Sequence, residues 1–194
     1  MSPMFFRFSI RGALTAVGLL MLGAMALAGS TEVYFSPEGG CTDAVVREIR
    51  GARKTVHVQA FSFTSVPIAK ALVEAVKRQV SVVVVFDKGI LEEPHTAVDL
   101  LVKGEVPRFI DSEHTIAHNK VMVIDGATVI SGSFNFTAAA EHHNAENLLV
   151  IHDSELAAKY ESNWILHRQH STPYPAAAGA PTPAGSHKRS RNRP

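Results

Sequence analysis

Apolar residues between positions 32 and 164 alternate repeatedly between the spacing of a strand and the spacing of a helix. The run at 80–86 is almost entirely valine, which indicates a central strand buried on both faces. The segment before it begins at Ser65, has Pro67 in its first turn and continues with apolar residues at helical intervals. This alternation predicts an α/β fold in which helices cover both faces of a mixed sheet.

The same patterns give approximate positions for the elements. In the last helix, Leu156, Tyr160 and Trp164 are four residues apart and would share one face. We expect strands at 32–35, 55–63, 80–86, 106–110, 116–124, 128–136 and 147–151, and helices at 43–52, 65–76, 94–103 and from 154 onward.

The two ends of the chain differ in composition from the part between them. Two arginines precede an uncharged apolar run, 13–28, that ends in small residues, which is typical of a secretory signal peptide. An uncleaved membrane anchor is the alternative, although the run is slightly short of the ~20 residues that span a bilayer. We expect cleavage after Ala28 and a periplasmic or extracellular domain at 29–170. Residues 171–194 are rich in Pro, Ala, Gly and Ser, end in a basic cluster, and are expected to be disordered.

Charge and cysteine content narrow the class of protein further. Without residues 1–28 the chain has 17 Lys and Arg (19 − 2) and 18 Asp and Glu, a net charge of −1. It is therefore not a strongly basic nucleic-acid binder, and any phosphate must be bound by local groups. Cys41 is the only cysteine, which excludes an internal disulfide, and we expect it to be a buried small residue.

One stretch, HNKVMVIDGATVISGSFN, carries the strongest indication of chemistry. His118 and Lys120 are two residues apart, as are Ser133 and Asn135, so each pair would share one face of its strand. An Asp-Gly pair between the two strands is a hairpin signal. A connection with an even number of residues would pair even positions with odd ones, and both pairs would then lie on one face. An ordinary hairpin with one solvated polar face is the alternative.

The side chains of this hairpin suit chemistry on a phosphate group. Lys120 supplies positive charge, and Ser133 and Asn135 supply neutral donors for the non-bridging oxygens. A neutral His118 can attack phosphorus and form a covalent intermediate, so that no metal-bound hydroxide is needed. No paired carboxylates, Cys/His cluster or HExxH spacing suggests a metal role, and we expect neither a metal nor another cofactor.

The motif resembles the signature of the phospholipase D superfamily: His-x-Lys, four residues, Asp, six residues and Gly-Ser-x-Asn. The closest resemblance is to small secreted bacterial endonucleases that carry one copy of it. The similarity extends from about residue 33 to residue 164, through FSPEGG at 35–40, AFSFTS at 60–65 and NAENLLV at 144–150. Every position of the signature is present, as His118, Lys120, Asp125, Gly132, Ser133 and Asn135.

The resemblance implies a role for each residue of the site. His118 would be the nucleophile that becomes a phosphohistidine, while Lys120, Ser133 and Asn135 would bind the phosphate. Glu146 would accept a hydrogen bond from the far nitrogen of His118 and set its tautomer.

Two further implications concern Asp125 and the assembly. Asp125 belongs to the catalytic signature, although we expect a structural or hydrogen-bonding role for it. Larger relatives carry two motifs, and the second histidine protonates the leaving group. Because this chain has a single His-x-Lys, the resemblance implies a homodimer that combines two motifs at a two-fold axis.

The first functional hypothesis is therefore a metal-independent phosphodiesterase that cuts DNA or RNA without sequence preference. The second is a phospholipase D that converts phosphatidylcholine-type lipids to phosphatidic acid. The absence of an amphipathic, Trp-rich interfacial helix from the sequence favours nucleic acid over lipid. A catalytically inactive binding protein is a third alternative, which the intact signature disfavours.

Other polar residues carry weaker predictions. His142 and His143 are expected on a solvated surface beside the site. For Ser62 and Thr64, core and capping roles are as well supported as substrate contact. The remaining histidines considered show no spacing typical of metal ligands: His95, His114, His152 and His167.

Overall fold

The computed structural model describes residues 29–175. The predicted signal peptide and residues 176–194 of the predicted tail lie outside the described residues. Within the described part the chain forms one mixed sheet with the strand order β1-β7-β6-β5-β2-β3-β4-β8. The strands are β1 (Ser30–Ser36), β2 (Thr55–Ala60), β3 (Ser81–Asp87), β4 (Arg108–Asp111), β5 (Lys120–Ile124), β6 (Thr128–Gly132), β7 (Glu146–His152) and β8 (Thr172–Pro173).

Helices cover both faces of this sheet, which confirms the predicted α/β class. The helices are α1 (Cys41–Gly51), α2 (Val66–Lys77), α3 (Val98–Lys103), α4 (Ala138–His142) and α5 (Ser154–His170), with a short 3-10 helix at Lys88–Leu91. The first three pack on one face, over a core that includes Val58 and Met122. On the other face α5 packs Ala157 against Val121 and Val123. Alternate residues of each strand thus enter opposite cores, which satisfies the strand period seen in the sequence.

The strand directions bring several strand ends together. β2, β3 and β4 are parallel, whereas β5 and β7 run antiparallel to their neighbours. Consequently β1, β2, β3, β4 and β6 finish at the same end of the sheet at which β5 and β7 begin; we call this the site end. The strands predicted at 55–63, 116–124 and 128–136 are shorter in the structure. At the site end their terminal residues leave the sheet and form loops.

The hairpin between β5 and β6 has a different register from the predicted one. Residues 125–127 connect the strands, and Met122 pairs with Ile130 and Ile124 with Thr128, so even positions face even positions. The prediction that even positions pair with odd ones is wrong, because the connection has an odd number of residues. Asp125 and Gly126 both have positive φ, 54° and 64°, as a tight hairpin turn requires.

The domain continues past the predicted boundary at residue 170. β8 pairs with β4, joining Thr172 to Ile110 and Pro173 to Phe109, and the ring of Tyr174 lies 6.4 Å from that of Phe86. Residues 171–175 thus belong to the folded part. Among residues 29–175, no helix is long and apolar enough to cross a membrane.

Cys41 is the first residue of α1 and is fully buried, as predicted. Burial raises the pKa of its thiol to about 11, and the negative charge of Glu141 adds to the shift. The thiol therefore remains protonated at neutral pH and is a poor nucleophile.

Candidate active site

Lys120 and His118 lie together at the site end, where β5 begins. Lys120 is buried, and its Nζ donates a hydrogen bond to the carbonyl oxygen of His118 at 2.8 Å. The Phe61 ring touches both side chains, because its centroid lies 4.9 Å from Nζ and 4.5 Å from the centroid of the His118 ring. His118 itself is exposed. An accessible imidazole therefore lies beside a buried ammonium group.

The charge of Lys120 is poorly hydrated. Burial lowers its pKa, and the negative charge of Glu146 opposes that shift. One of the three ammonium hydrogens is directed at the carbonyl of His118, so two remain available for a ligand. In a weakly hydrated site such a group attracts an anion more strongly than it would in water.

A β-bulge after β6 sets the position of Ser133. The N–H groups of Ser133 and Phe134 both donate to the carbonyl oxygen of Asn147, at 3.1 and 3.2 Å, so two residues oppose one. Gly132 has a φ of 148°, and a Cβ there would lie 2.2 Å from the same oxygen, which explains the glycine of the signature. The bulge sends Phe134 into the core and leaves Ser133 exposed.

The hydroxyl of Ser133 retains a free donor. Its Oγ accepts a hydrogen bond from the N–H of Asn147 at 3.0 Å. A hydroxyl that accepts from the backbone still has its own hydrogen to donate. Ser133 can therefore donate to a phosphate oxygen, as the sequence predicts.

Asn135 lies between the fully buried rings of Phe134 and Phe136. Its backbone carbonyl accepts a hydrogen bond from the N–H of Thr137 at 2.7 Å. Its side-chain Oδ1 is buried and has no hydrogen-bond partner among residues 29–175. Buried amide atoms normally have partners. This amide thus has capacity for a further hydrogen bond, and rotation by 180° would present its NH2 group instead.

Glu146 begins β7 at the same end of the sheet. Its carboxylate accepts a hydrogen bond from Nδ2 of Asn144 at 3.2 Å, and its N–H donates to Oγ of Ser36 at 3.2 Å. The His118 ring has no hydrogen bond with any residue in the range 29–175. The predicted contact between His118 and Glu146 therefore stays a prediction.

The structure brings five of the six predicted site residues to one end of three adjacent strands. β5 pairs with β6, and β6 pairs with β7. Since neighbouring strands are about 4.8 Å apart, side chains from their ends can meet around one small ligand. The five residues are His118, Lys120, Ser133, Asn135 and Glu146.

Asp125 is the exception, and its inclusion among the catalytic residues is corrected. It follows β5 at the opposite end of the sheet, about 16 Å along the strand from Lys120. Its carboxylate accepts hydrogen bonds from the N–H groups of Arg53, Lys54 and Thr55 at 2.9, 2.7 and 2.9 Å. Asp125 fixes the start of β2 and cannot touch a ligand bound at the site end.

Phe61 was not predicted individually, although it lies in the AFSFTS segment that carries part of the resemblance. Its neighbours in that segment have structural partners: the Ser62 hydroxyl donates to the carboxylate of Glu93, and the Thr64 hydroxyl accepts from the N–H of Ala138 at 3.2 Å. These contacts favour the core and capping roles for Ser62 and Thr64 over substrate contact.

Two groups of histidines outside the motif bear on the predictions. His142 and His143 are exposed, as predicted, and His142 contacts Glu38 at 2.8 Å. His114 and His167, for which the sequence spacing suggests no ligand role, converge with His170 on Asp111 in the structure. The i, i+3 spacing of His167 and His170 was the available signal, since such residues share one helical face.

Comparison with known proteins agrees with this geometry. Residues 45–165 match the family described as "Cardiolipin synthase, PLD-like domain". The phospholipase D of Rickettsia felis is 38% identical over 139 residues, which cover 72% of this chain and 70% of that protein. The phospholipase D of Rickettsia conorii is 40% identical over 68% of this chain and 66% of that protein. The chain belongs to the phospholipase D superfamily.

A solved structure extends the phospholipase D likeness to three dimensions. The chain superimposes on Nuc from Salmonella typhimurium, solved as a phospholipase D family member, with a TM-score of 0.73 and 35% identity. The match covers 76% of this chain and 99% of Nuc. As a phospholipase D superfamily member with the complete signature, the chain is a hydrolase that acts on phosphodiesters.

Proposed function

We propose that the chain is a non-specific endonuclease that hydrolyses the phosphodiester bonds of DNA or RNA without a metal ion. The observation that carries the proposal is the exposed His118 imidazole beside the buried ammonium of Lys120. These groups are a nucleophile and an anion-binding charge, and the hydroxyl of Ser133 lies at the same end of the sheet. The likeness to Nuc, which spans nearly all of that protein, supports nucleic acid as the substrate.

In the proposed first step, a ring nitrogen of His118 attacks phosphorus. The bond from phosphorus to the leaving oxygen breaks, and a protonated histidine gives its proton to that oxygen. In the second step the same histidine, now neutral, removes a proton from water, and the resulting hydroxide attacks phosphorus. The phosphorus–nitrogen bond then breaks and regenerates His118. Lys120, Ser133 and Asn135 stabilise the negative oxygens throughout.

The protonated histidine is proposed to come from a second copy of the chain. Among residues 29–175, the only aromatic or imidazole ring in contact with His118 is that of Phe61. His57 is stacked on Trp164, and His114 is engaged with Asp111. A homodimer that places two His118 rings at one phosphate supplies both protonation states.

An apolar surface beside the site is available for this contact. Val33 and Phe35 on the edge strand β1 are 50% and 66% exposed, and Phe35 pairs with Asn147, which contacts Ser133. Exposed apolar groups next to a site are typical of an interaction surface. The dimer would cover these groups. We also propose that the domain acts after export, on the basis of the predicted signal peptide.

A phospholipase D is the second candidate, and two observations favour it. The Rickettsia relatives carry that name. In addition, Ile116 and Leu91 are 56% and 49% exposed, and Ile116 is two residues from His118. Against a lipid surface, Trp164 is no interfacial anchor, because it is buried and its Nε1 donates to the carbonyl of Val58 at 3.0 Å.

A parallel assay separates the two candidates. The purified chain is incubated in EDTA with supercoiled plasmid DNA and, separately, with phosphatidylcholine vesicles, and His118→Ala serves as the control. We expect nicked and linear plasmid and no release of choline, with neither product from the variant. Choline release without plasmid cleavage would show that the chain is a phospholipase D and not a nuclease.

A further inference from the structure

A buried carboxylate surrounded by three imidazoles lies at the site end of β4. Asp111 is 0% exposed, and ring nitrogens of His167, His170 and His114 lie 2.6, 3.1 and 3.3 Å from its Oδ2. The four potential ligand atoms all lie within 4.8 Å of one another. None of the four residues belongs to the phospholipase D signature, so the proposed function leaves the cluster unexplained.

The cluster is distinct from the catalytic site. β4 and β5 are separated by β3 and β2, so Asp111 lies three strand spacings, about 14 Å, from Lys120. The two sites nevertheless share a segment. Residues 112–119 connect β4 to β5 and contain both His114 and His118.

Within the described part of the chain, hydrogen bonds satisfy the oxygens of Asp111 but leave its negative charge without a neighbouring Lys or Arg. Oδ2 lies 2.6 and 3.1 Å from ring nitrogens of His167 and His170, and His114 lies 3.3 Å from both oxygens. Oδ1 also accepts a hydrogen bond from the N–H of Glu113 at 3.1 Å. In the range 29–175, Asp111 has no ion pair with a lysine or arginine. A buried carboxylate requires compensating positive charge.

A second cluster shows what compensation without a metal looks like in this fold. Glu32, Glu48 and His152 also bring potential ligand atoms together. There the guanidinium of Arg47 lies 2.9 Å from Glu32 and 3.0 Å from Glu48 and supplies the positive charge. No such cation is found at Asp111 among the described residues.

We propose that Asp111, His114, His167 and His170 bind a transition-metal ion of the zinc class. Three imidazole nitrogens and one carboxylate oxygen suit Zn²⁺, whereas Mg²⁺ and Ca²⁺ prefer oxygen ligands alone. Metal–ligand bonds of 2.0–2.2 Å in a tetrahedron place ligand atoms about 3.4 Å apart. The contacts of 2.6, 3.1 and 3.3 Å around Oδ2 are close to that spacing, so rotations of the side chains suffice.

The ion would link the end of α5 to the loop that carries His118. Two ligands, His167 and His170, belong to the last turns of α5, and His114 belongs to the loop. The loop already has backbone contacts, since the N–H of Ala117 donates to Asp87 at 2.7 Å and Lys88 donates to the carbonyl of His114 at 3.0 Å. The metal site is structural, and its ion takes no part in the bond-breaking steps.

Direct metal binding tests the proposal. The purified full chain is stripped with chelator, dialysed and titrated with ZnCl2 by calorimetry, and with Co²⁺ by visible absorption. We expect one Zn²⁺ per chain and cobalt bands typical of tetrahedral coordination. His167→Ala and the milder His170→Gln should each weaken zinc affinity at least about 100-fold. His143→Ala and His118→Ala are controls and should bind zinc like the unmodified chain.

Stability and local exchange give a readout that does not depend on the variants. Zn²⁺ should raise the Tm of the unmodified chain and slow amide hydrogen exchange in residues 112–119, and EDTA should reverse both effects. The proposal is overturned if the unmodified chain binds no zinc at micromolar concentration. It is equally overturned if His167→Ala and His170→Gln bind zinc as tightly as the His143→Ala control.

Discussion

Lys120 begins strand β5 and Asp125 follows its last residue, so the two side chains lie at opposite ends of the strand. Lys120 belongs to the candidate active site, whereas the carboxylate of Asp125 accepts hydrogen bonds from the backbone of residues 53–55. The six-position signature therefore contains three kinds of residue. Four of them, His118, Lys120, Ser133 and Asn135, can meet a phosphate. Gly132 permits the bulge after β6, and Asp125 fixes the start of β2 beside the end of β5. This division leads to a prediction that separates stability from catalysis.

Asp125→Ala should destabilise the fold by about 2 kcal/mol, because three backbone N–H groups lose a charged acceptor. The rate per folded molecule should remain within a few-fold of normal. Chemical denaturation and kcat, measured on the same samples, check both statements. The exposed Asp99→Ala serves as a matched control and should cost about 0.5 kcal/mol or less. A large loss of kcat in fully folded Asp125→Ala would show that Asp125 is a catalytic residue.

The contribution of Asp125 should also depend on pH. Burial raises its pKa, but the hydrogen bonds from Thr55, Arg53 and Lys54 outweigh burial and lower it. A carboxylate whose pKa is lower in the folded state stabilises the fold above its unfolded pKa of about 3.9, and this stability is lost as pH falls through the folded pKa. The difference in unfolding free energy between the unmodified chain and Asp125→Ala should therefore shrink on acidification below about pH 4. A difference that grows on acidification would contradict this assignment.

His118→Ala should lower turnover by more than the 10²–10⁴-fold typical of losing one acid or base, since in the proposed mechanism it removes the nucleophile and the acid together. Because His118 is exposed, the Tm should change little. His143→Ala, another exposed histidine, is the control and should keep normal activity. Near-normal rates for His118→Ala would place the chemistry elsewhere.

Lys120→Met should also inactivate the enzyme but should leave its Tm unchanged or raised. The reason is that burial disfavours the charge of Lys120, as its lowered pKa indicates, whereas Met fills a similar volume without a charge. Thermal unfolding and a cleavage assay on the same preparation test the prediction. A strongly reduced Tm would show that the bond from Lys120 to the carbonyl of His118 is needed for folding.

Catalysis should survive millimolar EDTA at temperatures well below the Tm of the stripped chain, because Lys120, Ser133 and Asn135 supply the stabilisation that a metal would give. Adding back Mg²⁺ or Zn²⁺ separately distinguishes a catalytic metal ion from a structural one. The histidine cluster around Asp111 suits Zn²⁺ and not Mg²⁺. Activity lost in EDTA and restored by Mg²⁺ would refute metal-independent catalysis. Loss restored by Zn²⁺ alone, together with a restored Tm, would instead point to the structural site.

The proposed homodimer with a shared site predicts dominant inactivation. When the unmodified chain exchanges subunits with a ninefold excess of His118→Ala, about nine in ten of its molecules enter heterodimers with one histidine, so activity should fall about tenfold. The two coupled His118 rings should also give a bell-shaped pH–rate profile with two macroscopic pKa values. Activity proportional to unmodified chain, with a monomer in sedimentation, would exclude the shared site.

The α/β class and the residue types of the site follow from the sequence alone. Alternating periods of apolar residues identify strands and helices because burial acts on each element separately, and the spacing of His118 and Lys120 places both on one strand face. The signature identified the superfamily because His118, Lys120, Ser133 and Asn135 serve local chemistry, while Gly132 serves a local backbone conformation.

Which of these residues meet depends on the path of the chain in three dimensions. The register of β5 and β6 depends on an odd connection, and the exposure of Ser133 depends on the bulge that β6 forms against β7. Neither follows from the strand period. Asp125 has a correct place in the signature but lies at the wrong end of its strand for catalysis, since sequence spacing does not state which strand ends adjoin. Asp111 and His167 are 56 residues apart and meet only because α5 returns across the sheet and ends beside β4. Contacts of this range depend on the path of the whole chain, which no local pattern encodes.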